Sequence, residues 1–172
     1  TIGLHPCDSK DFESELSKME ALLNQKHEYI AIGEVGLDDF HLSNNPDIAK
    51  KEQSIQELVF RQQIAWSKKL NLPLIVHSRD CFDKTVDFLD NEDANWEKVL
   101  FHCFCEEPKS LKKIQERGGR VSFTGILTYK NADLVRESLK MCGLETLILE
   151  TDSPYLAPVP LRSKENQPAY LL

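Results

Sequence analysis

Four apolar runs in the chain each close on a residue able to bind a metal ion: Ala31-Ile32-Gly33-Glu34, Leu74-Ile75-Val76-His77, Val99-Leu100-Phe101-His102 and Leu147-Ile148-Leu149-Glu150-Thr151-Asp152. Short apolar runs of this kind predict buried strands, and helical spacing between them predicts a parallel sheet. In a (β/α) barrel the carboxyl ends of all strands share one face, and the active site is built there. The pattern therefore predicts that one Glu, two His and one Asp converge from distant positions, the outline of a divalent-metal hydrolase site.

The stretches between the runs read as helices. Phe12, Leu16, Met19, Leu22 and Leu23 share a helical face, with Ser9 or Asp11 as caps. After the polar loop from Asp39 to Asp47, a long helix presents Ile55, Leu58, Val59, Ala65 and Trp66, and Asn71-Leu72-Pro73 ends it. Phe82, Val86 and Leu89 mark a short helix; Pro108, Leu111 and Ile114 mark another, stopping near Gly118-Gly119. Arg120 to Gly125 is a further strand, followed by a helix through Leu134, Val135, Leu139 and Met141. Trp66 and Trp96 are expected in the core. Strand–helix alternation without a linker predicts one α/β domain over residues 1–172. Counting Gly3-Leu4-His5 as a strand end, six strands are expected, against the eight of a closed TIM-type (β/α)8 barrel. The domain is accordingly expected to be a partial barrel.

The 172 residues, 41% of them hydrophobic, suffice for a real core. They fall short of the roughly 200 at the low end for closed barrels. A net charge of −7 rules out a broad cationic surface, although metals and a few arginines can concentrate positive charge in one cleft. The five cysteines are odd in number and irregularly spaced. They read as reduced, mostly buried thiols of a cytoplasmic protein rather than a disulfide framework or zinc knuckle. No apolar run approaches the ~20 residues of a membrane span.

Imidazole and carboxylate ligands suit zinc, manganese or magnesium, and a Glu can bridge two such ions. With Gly3-Leu4-His5-Pro6, Ile32-Gly33-Glu34-Val35-Gly36-Leu37-Asp38, Leu72-Pro73-Leu74-Ile75-Val76-His77-Ser78-Arg79, Phe101-His102-Cys103-Phe104 and Glu150-Thr151-Asp152-Ser153-Pro154-Tyr155-Leu156 in order, the chain resembles the TatD family of metal-dependent deoxyribonucleases, within the amidohydrolase-like barrels. Arg162, Asn166 and Pro168 resemble that family's closing segment. The resemblance implies two divalent ions per subunit, DNA as substrate, and hydrolysis of phosphodiesters by a metal-activated water. By it Glu34 bridges the ions, His77 and His102 bind one, and Asp152 binds the other and assists the water, so that Glu34 and Asp152 are the catalytic pair.

Substrate contacts are expected from His5, Arg79, Arg162 and Asn166. His5 either touches a phosphate or caps a strand end. Arg79, two residues beyond His77, either holds a phosphate bidentately or pairs with a helix carboxylate. Glu150 is expected to brace a neighbour rather than bind metal. The family's His-x-His is absent: His5 is followed by Pro6 and Cys7. The first two strands and the C-terminal helix are therefore expected to be missing, leaving unpaired edges. Two rival readings stay open: a metal-dependent hydrolase of a small ester, lactone or amide, and a catalytically dead remnant or binding module. No membrane association is expected, and no protein partner is identifiable from the sequence.

Overall fold

In the computed structural model residues 1–171 are described, and they divide into two compact units, one running from Thr1 to Val99 and the other from Leu100 onward. Both are built of strands alternating with helices, and every pairing between named strands is parallel.

In the first unit a 3-10 turn at Pro6–Asp11 leads into helix α1, Phe12–Leu23. His5 caps the turn by accepting from the Cys7 amide, so neither Ser9 nor Asp11 supplies a side-chain cap there. Of the expected apolar face of α1 only Leu23 is buried. Strand β1, Ile32–Asp38, pairs with β2, Leu74–Arg79, with Val35, Gly36, Leu37 and Asp38 opposite Val76, His77, Ser78 and Arg79. The expected first strand is a single parallel bridge, Ile2 to Ile32. The Ile2 amide donates to the Ala31 carbonyl at 3.2 Å, and the Gly33 amide to the Ile2 carbonyl at 2.9 Å.

Helix α2, Pro46–Leu70, has a well-defined start and stop. The Asn45 side chain accepts from the amides of Asp47 and Ile48, Pro46 occupies the first turn, and Asn71 closes the helix in the left-handed conformation at φ 55°. The buried stripe is Gln56, Val59, Phe60, Gln63, Ile64 and Ser67, at the three- and four-residue spacing of one helical face, with Trp66 beside it. Leu58 and Ala65, expected inside, are exposed. The stripe follows helical geometry rather than hydropathy, because two glutamines occupy it. Helix α3, Phe82–Asn91, buries Phe82, Thr85, Val86 and Leu89. Trp96 is only part-buried, and its indole N–H donates to Asp90 Oδ1 at 2.8 Å, so it caps a surface turn instead of filling the core.

The second unit holds all but the first residue of β3 (Val99–Phe101), together with β4 (Arg120–Phe123) and β5 (Leu147–Leu149), and β4 pairs with both β3 and β5. Helix α4, Pro108–Gln115, starts at its proline and buries Ser110, Leu111 and Ile114. Helix α5, Asp133–Met141, buries Val135 and Ser138, while Leu134 and Met141 of its expected face are exposed. The core of this unit is Phe101, Phe104, Leu111, Ile114, Val121 and Phe123. Of the cysteines only Cys81 is buried; Cys7 and Cys105 are exposed, correcting the expectation of mostly buried thiols. No described helix is long and apolar enough to cross a membrane.

Candidate functional site

Glu34, Gly36 and Asp38 succeed one another at two-residue spacing along β1, and Gly36 stands opposite His77 of β2. Gly36 has φ +143°, and a Cβ there would lie 2.0 Å from the His77 carbonyl oxygen, so only glycine is tolerated. With no side chain between the two carboxylates, the His77 ring spans them. Nδ1 lies 3.0 Å from Glu34 Oε1, and Nε2 lies 2.9 Å from Asp38 Oδ2. His5 reaches the same carboxylate, its Nε2 at 3.4 Å from Glu34 Oε1, and its ring meets that of His77 edge-on at 4.5 Å. His5, Glu34 and His77 thus bring three ligand atoms within 4.8 Å of one another. Nitrogen and carboxylate donors in that proportion fit a borderline divalent ion.

Asp38 is not among the expected site residues, yet it is bonded to both His41 and His77. It is fully buried. Its Oδ1 accepts from the His41 amide at 2.8 Å, and Oδ2 faces His41 Nδ1 at 2.9 Å as well as His77 Nε2. Burial, the largest single influence, pushes the carboxyl up, but the bonds from His41 and His77 outweigh it and hold it down to about 2. The Cys7 sulfur lies 3.6 Å from Asp38 Oδ2. Partial withdrawal from water, followed by the Asp38 charge, pushes that thiol up to about 12.

Two buried amides of α2 fix the backbone beneath these groups. Gln56 accepts from the Asp38 amide at 2.9 Å and donates to the Asp38 carbonyl at 3.0 Å. Gln63, two turns on, does the same for Leu4, at 2.7 and 3.1 Å. The residue before His5 and the end of β1 are thereby clamped to one helix. The signals for these residues were available: a polar residue on the buried face of an amphipathic helix, and Asp38 two positions beyond Gly36 on the Glu34 face.

In the second unit His102 follows β3, and its Nδ1 lies 3.5 Å from Glu150 Oε2. Glu150 also accepts from the Cys103 amide and the Ser122 hydroxyl. Burial is again the largest influence and acts upward, yet the contacts with His102 and Ser122 leave this carboxyl below its ordinary value. Glu150 therefore braces a neighbour, as its position predicts. Asp152 adopts φ +57° at the turn after β5, and its carbonyl accepts from the Tyr155 amide at 2.8 Å. Asn166 is buried in that same loop, its amide donating to the carbonyls of Thr151 and Tyr155 at 2.6 and 2.7 Å and its Oδ1 accepting from Gln167. Arg162 lies over the Tyr129 ring at 4.1 Å. In the first unit Arg79 lies over Phe40 at 3.9 Å. Both guanidinium groups are exposed and stacked on aromatic faces.

The chain matches the family described as TatD related DNase over residues 1–172. An uncharacterized metal-dependent hydrolase of Buchnera aphidicola is 36% identical over 171 residues, covering 99% of this chain and 62% of that protein. The uncharacterized metal-dependent hydrolase YabD of Bacillus subtilis is 36% identical over 170 residues, covering 99% and 64%. Among solved structures, YJJV, a TatD homolog from Escherichia coli, superposes with a TM-score of 0.85 at 26% identity, over 98% of this chain and 62% of that one. The chain thus spans 62–64% of the length of these two curated relatives. Whole-chain similarity to that family, with its fold, makes the assignment: the chain belongs to the TatD-related DNase family.

Proposed function

We propose that the chain acts as a metal-dependent hydrolase that cleaves DNA phosphodiesters, with Glu34, His77, His102 and Asp152 as its metal ligands. The observation that carries this reading is the His77 ring held between Glu34 and Asp38. A histidine that ligates a metal normally gives its other ring nitrogen to a carboxylate, which fixes tautomer and orientation. Here Asp38, buried and ionised, stands as that carboxylate: it would hold a proton on Nε2 and leave Nδ1, 3.0 Å from Glu34, to face the ion. Glu150 stands to His102 Nδ1, at 3.5 Å, as Asp38 stands to His77 Nε2, and would orient His102 toward an ion in the same way.

A divalent ion in such a site supplies Lewis acidity toward a phosphoryl oxygen and acidifies a bound water. His5, beside Glu34, donates to a substrate oxygen, and Asp152 takes a proton from the attacking water. Arg79 and Arg162 are exposed cations able to hold phosphates bidentately. The name of the family supports a nuclease, and the chemistry of the donor set supports a metal-dependent hydrolase.

The test is release of nucleotides from single-stranded DNA with Mn²⁺ or Mg²⁺, run beside a panel of small esters, lactones and amides. Metal-dependent nucleotide release that chelation abolishes is expected. Turnover of a small ester without nucleotide release would overturn the nuclease reading and leave the hydrolase one; turnover of neither would overturn both.

A further inference from the structure

We propose that Cys7, Asp38 and His41 form a second, separate binding site for one thiophilic divalent ion such as Zn²⁺. The three donors come from three short segments: the turn after His5, the end of β1 and the loop that follows it. Cys7 Sγ lies 3.6 Å from Asp38 Oδ2 and 3.6 Å from His41 Nδ1, and His41 Nδ1 lies 2.9 Å from Asp38 Oδ2. All three donor atoms fall within 4.8 Å of one another. A tetrahedral zinc ion, with bonds of about 2.0 Å to nitrogen or oxygen and about 2.3 Å to sulfur, separates its donors by about 3.3–3.5 Å. The two sulfur edges of the triangle already match, and the nitrogen–oxygen edge needs to open by a few tenths of an ångström.

The anchor of this triangle is preorganised. Asp38 is fully buried, its backbone is clamped on both sides by Gln56, and its Oδ1 is fixed by the His41 amide. Oδ2 has a second lone pair for the ion while it continues to accept from His77. Cys7 is held by its own amide, which donates to His5 Nδ1 at 3.2 Å. Cys7 and His41 are exposed, so an ion can enter from solvent and complete its shell with water. Binding exchanges the thiol proton for the ion and leaves His41 with its proton on Nε2. Sulfur in the donor set selects zinc or cadmium over magnesium. The site differs from the Glu34 cluster in its residues and in its side of the imidazole: His77 Nδ1 faces Glu34, and Nε2 faces Asp38. The inference stands whether or not the chain hydrolyses DNA.

Titration of the metal-free protein with Cd²⁺, followed by the ultraviolet thiolate-to-cadmium charge-transfer band, tests it. One equivalent of thiolate-bound Cd²⁺ is expected, competed away by Zn²⁺ and not by Mg²⁺. The band should disappear in Cys7→Ser, weaken at least tenfold in affinity in His41→Ala, and persist in Cys103→Ser and Cys105→Ser. Cys7 and His41 are exposed, so these variants keep the fold, and circular dichroism verifies it. Absence of the band in the unaltered protein, its persistence in Cys7→Ser, or undiminished affinity in His41→Ala would each overturn the three-ligand site.

Discussion

Asp38 is a buried carboxylate bonded to two histidines, and its behaviour with pH follows from these partners. Its carboxyl moves from the ordinary 3.8 down to about 2 on folding. A depressed carboxylate stabilises the fold above its unfolded value and loses that contribution as pH falls through its folded one. At 1.36 kcal/mol per unit, the contribution is about 2 kcal/mol at neutral pH. Acid denaturation of the metal-free protein should therefore show a loss of about this size between roughly pH 4 and pH 2, and Asp38→Asn should lack it. Equal pH slopes for the two proteins in that window would contradict the assignment. Glu34 and His77, which the structure brings within 3.0 Å of each other, could be singled out from sequence because each closes an apolar run. Asp38 carried a signal in its two-residue spacing from Gly36, whereas His41 carried none, because it lies in the polar loop after β1 and its pairing with Asp38 depends on how that loop folds back.

At the scale of the element, α2 shows what hydropathy misses. The apolar residues predicted its existence and length, yet Leu58 and Ala65 point outward and Gln56 and Gln63 inward. The glutamines are buried because each satisfies one amide and one carbonyl of a site-bearing segment that no neighbouring strand satisfies. Removing such a side chain leaves two buried backbone groups without partners, at about 1–3 kcal/mol each. Gln56→Ala should thus destabilise the protein by roughly 2–4 kcal/mol, whereas Leu58→Ala at the exposed position should cost about 0.5 kcal/mol or less. Urea denaturation of the two variants checks this, and the reverse ranking would show that the stripe is misassigned. Strand β1 was easier: its position and its carboxyl-end residues followed from the apolar run. The reduction of the expected first strand to a bridge at Ile2 could not be read, since a run of four residues carries no signal for how many ladder bonds it makes.

For the whole molecule, the alternation of strands and helices and the ordered motifs carried the fold class and the family, both of which the comparisons bear out. The division of the chain at Val99 was not legible, because no Gly- or Pro-rich linker marks it. The second unit exposes Leu134, Met141, Leu144, Ile148 and Leu149, the last at 58% of its surface. Among the described residues β5 pairs only with β4. An apolar strand edge of this kind promotes association. Residues 1–172 alone should therefore elute from size-exclusion chromatography as larger species with rising concentration, and Leu149→Lys should suppress the shift. A concentration-independent monomer would contradict this.

His77, oriented by Asp38, is proposed as a metal ligand. Equilibrium dialysis against Mn²⁺ or Zn²⁺, with bound metal measured for the unaltered protein, Asp38→Asn and His77→Ala, tests it most directly. Loss of the orienting carboxylate should weaken the ion at Glu34 and His77 by about 10–100-fold. His77→Ala should abolish binding there while circular dichroism shows the fold retained. Bound metal unchanged in both variants would contradict the account.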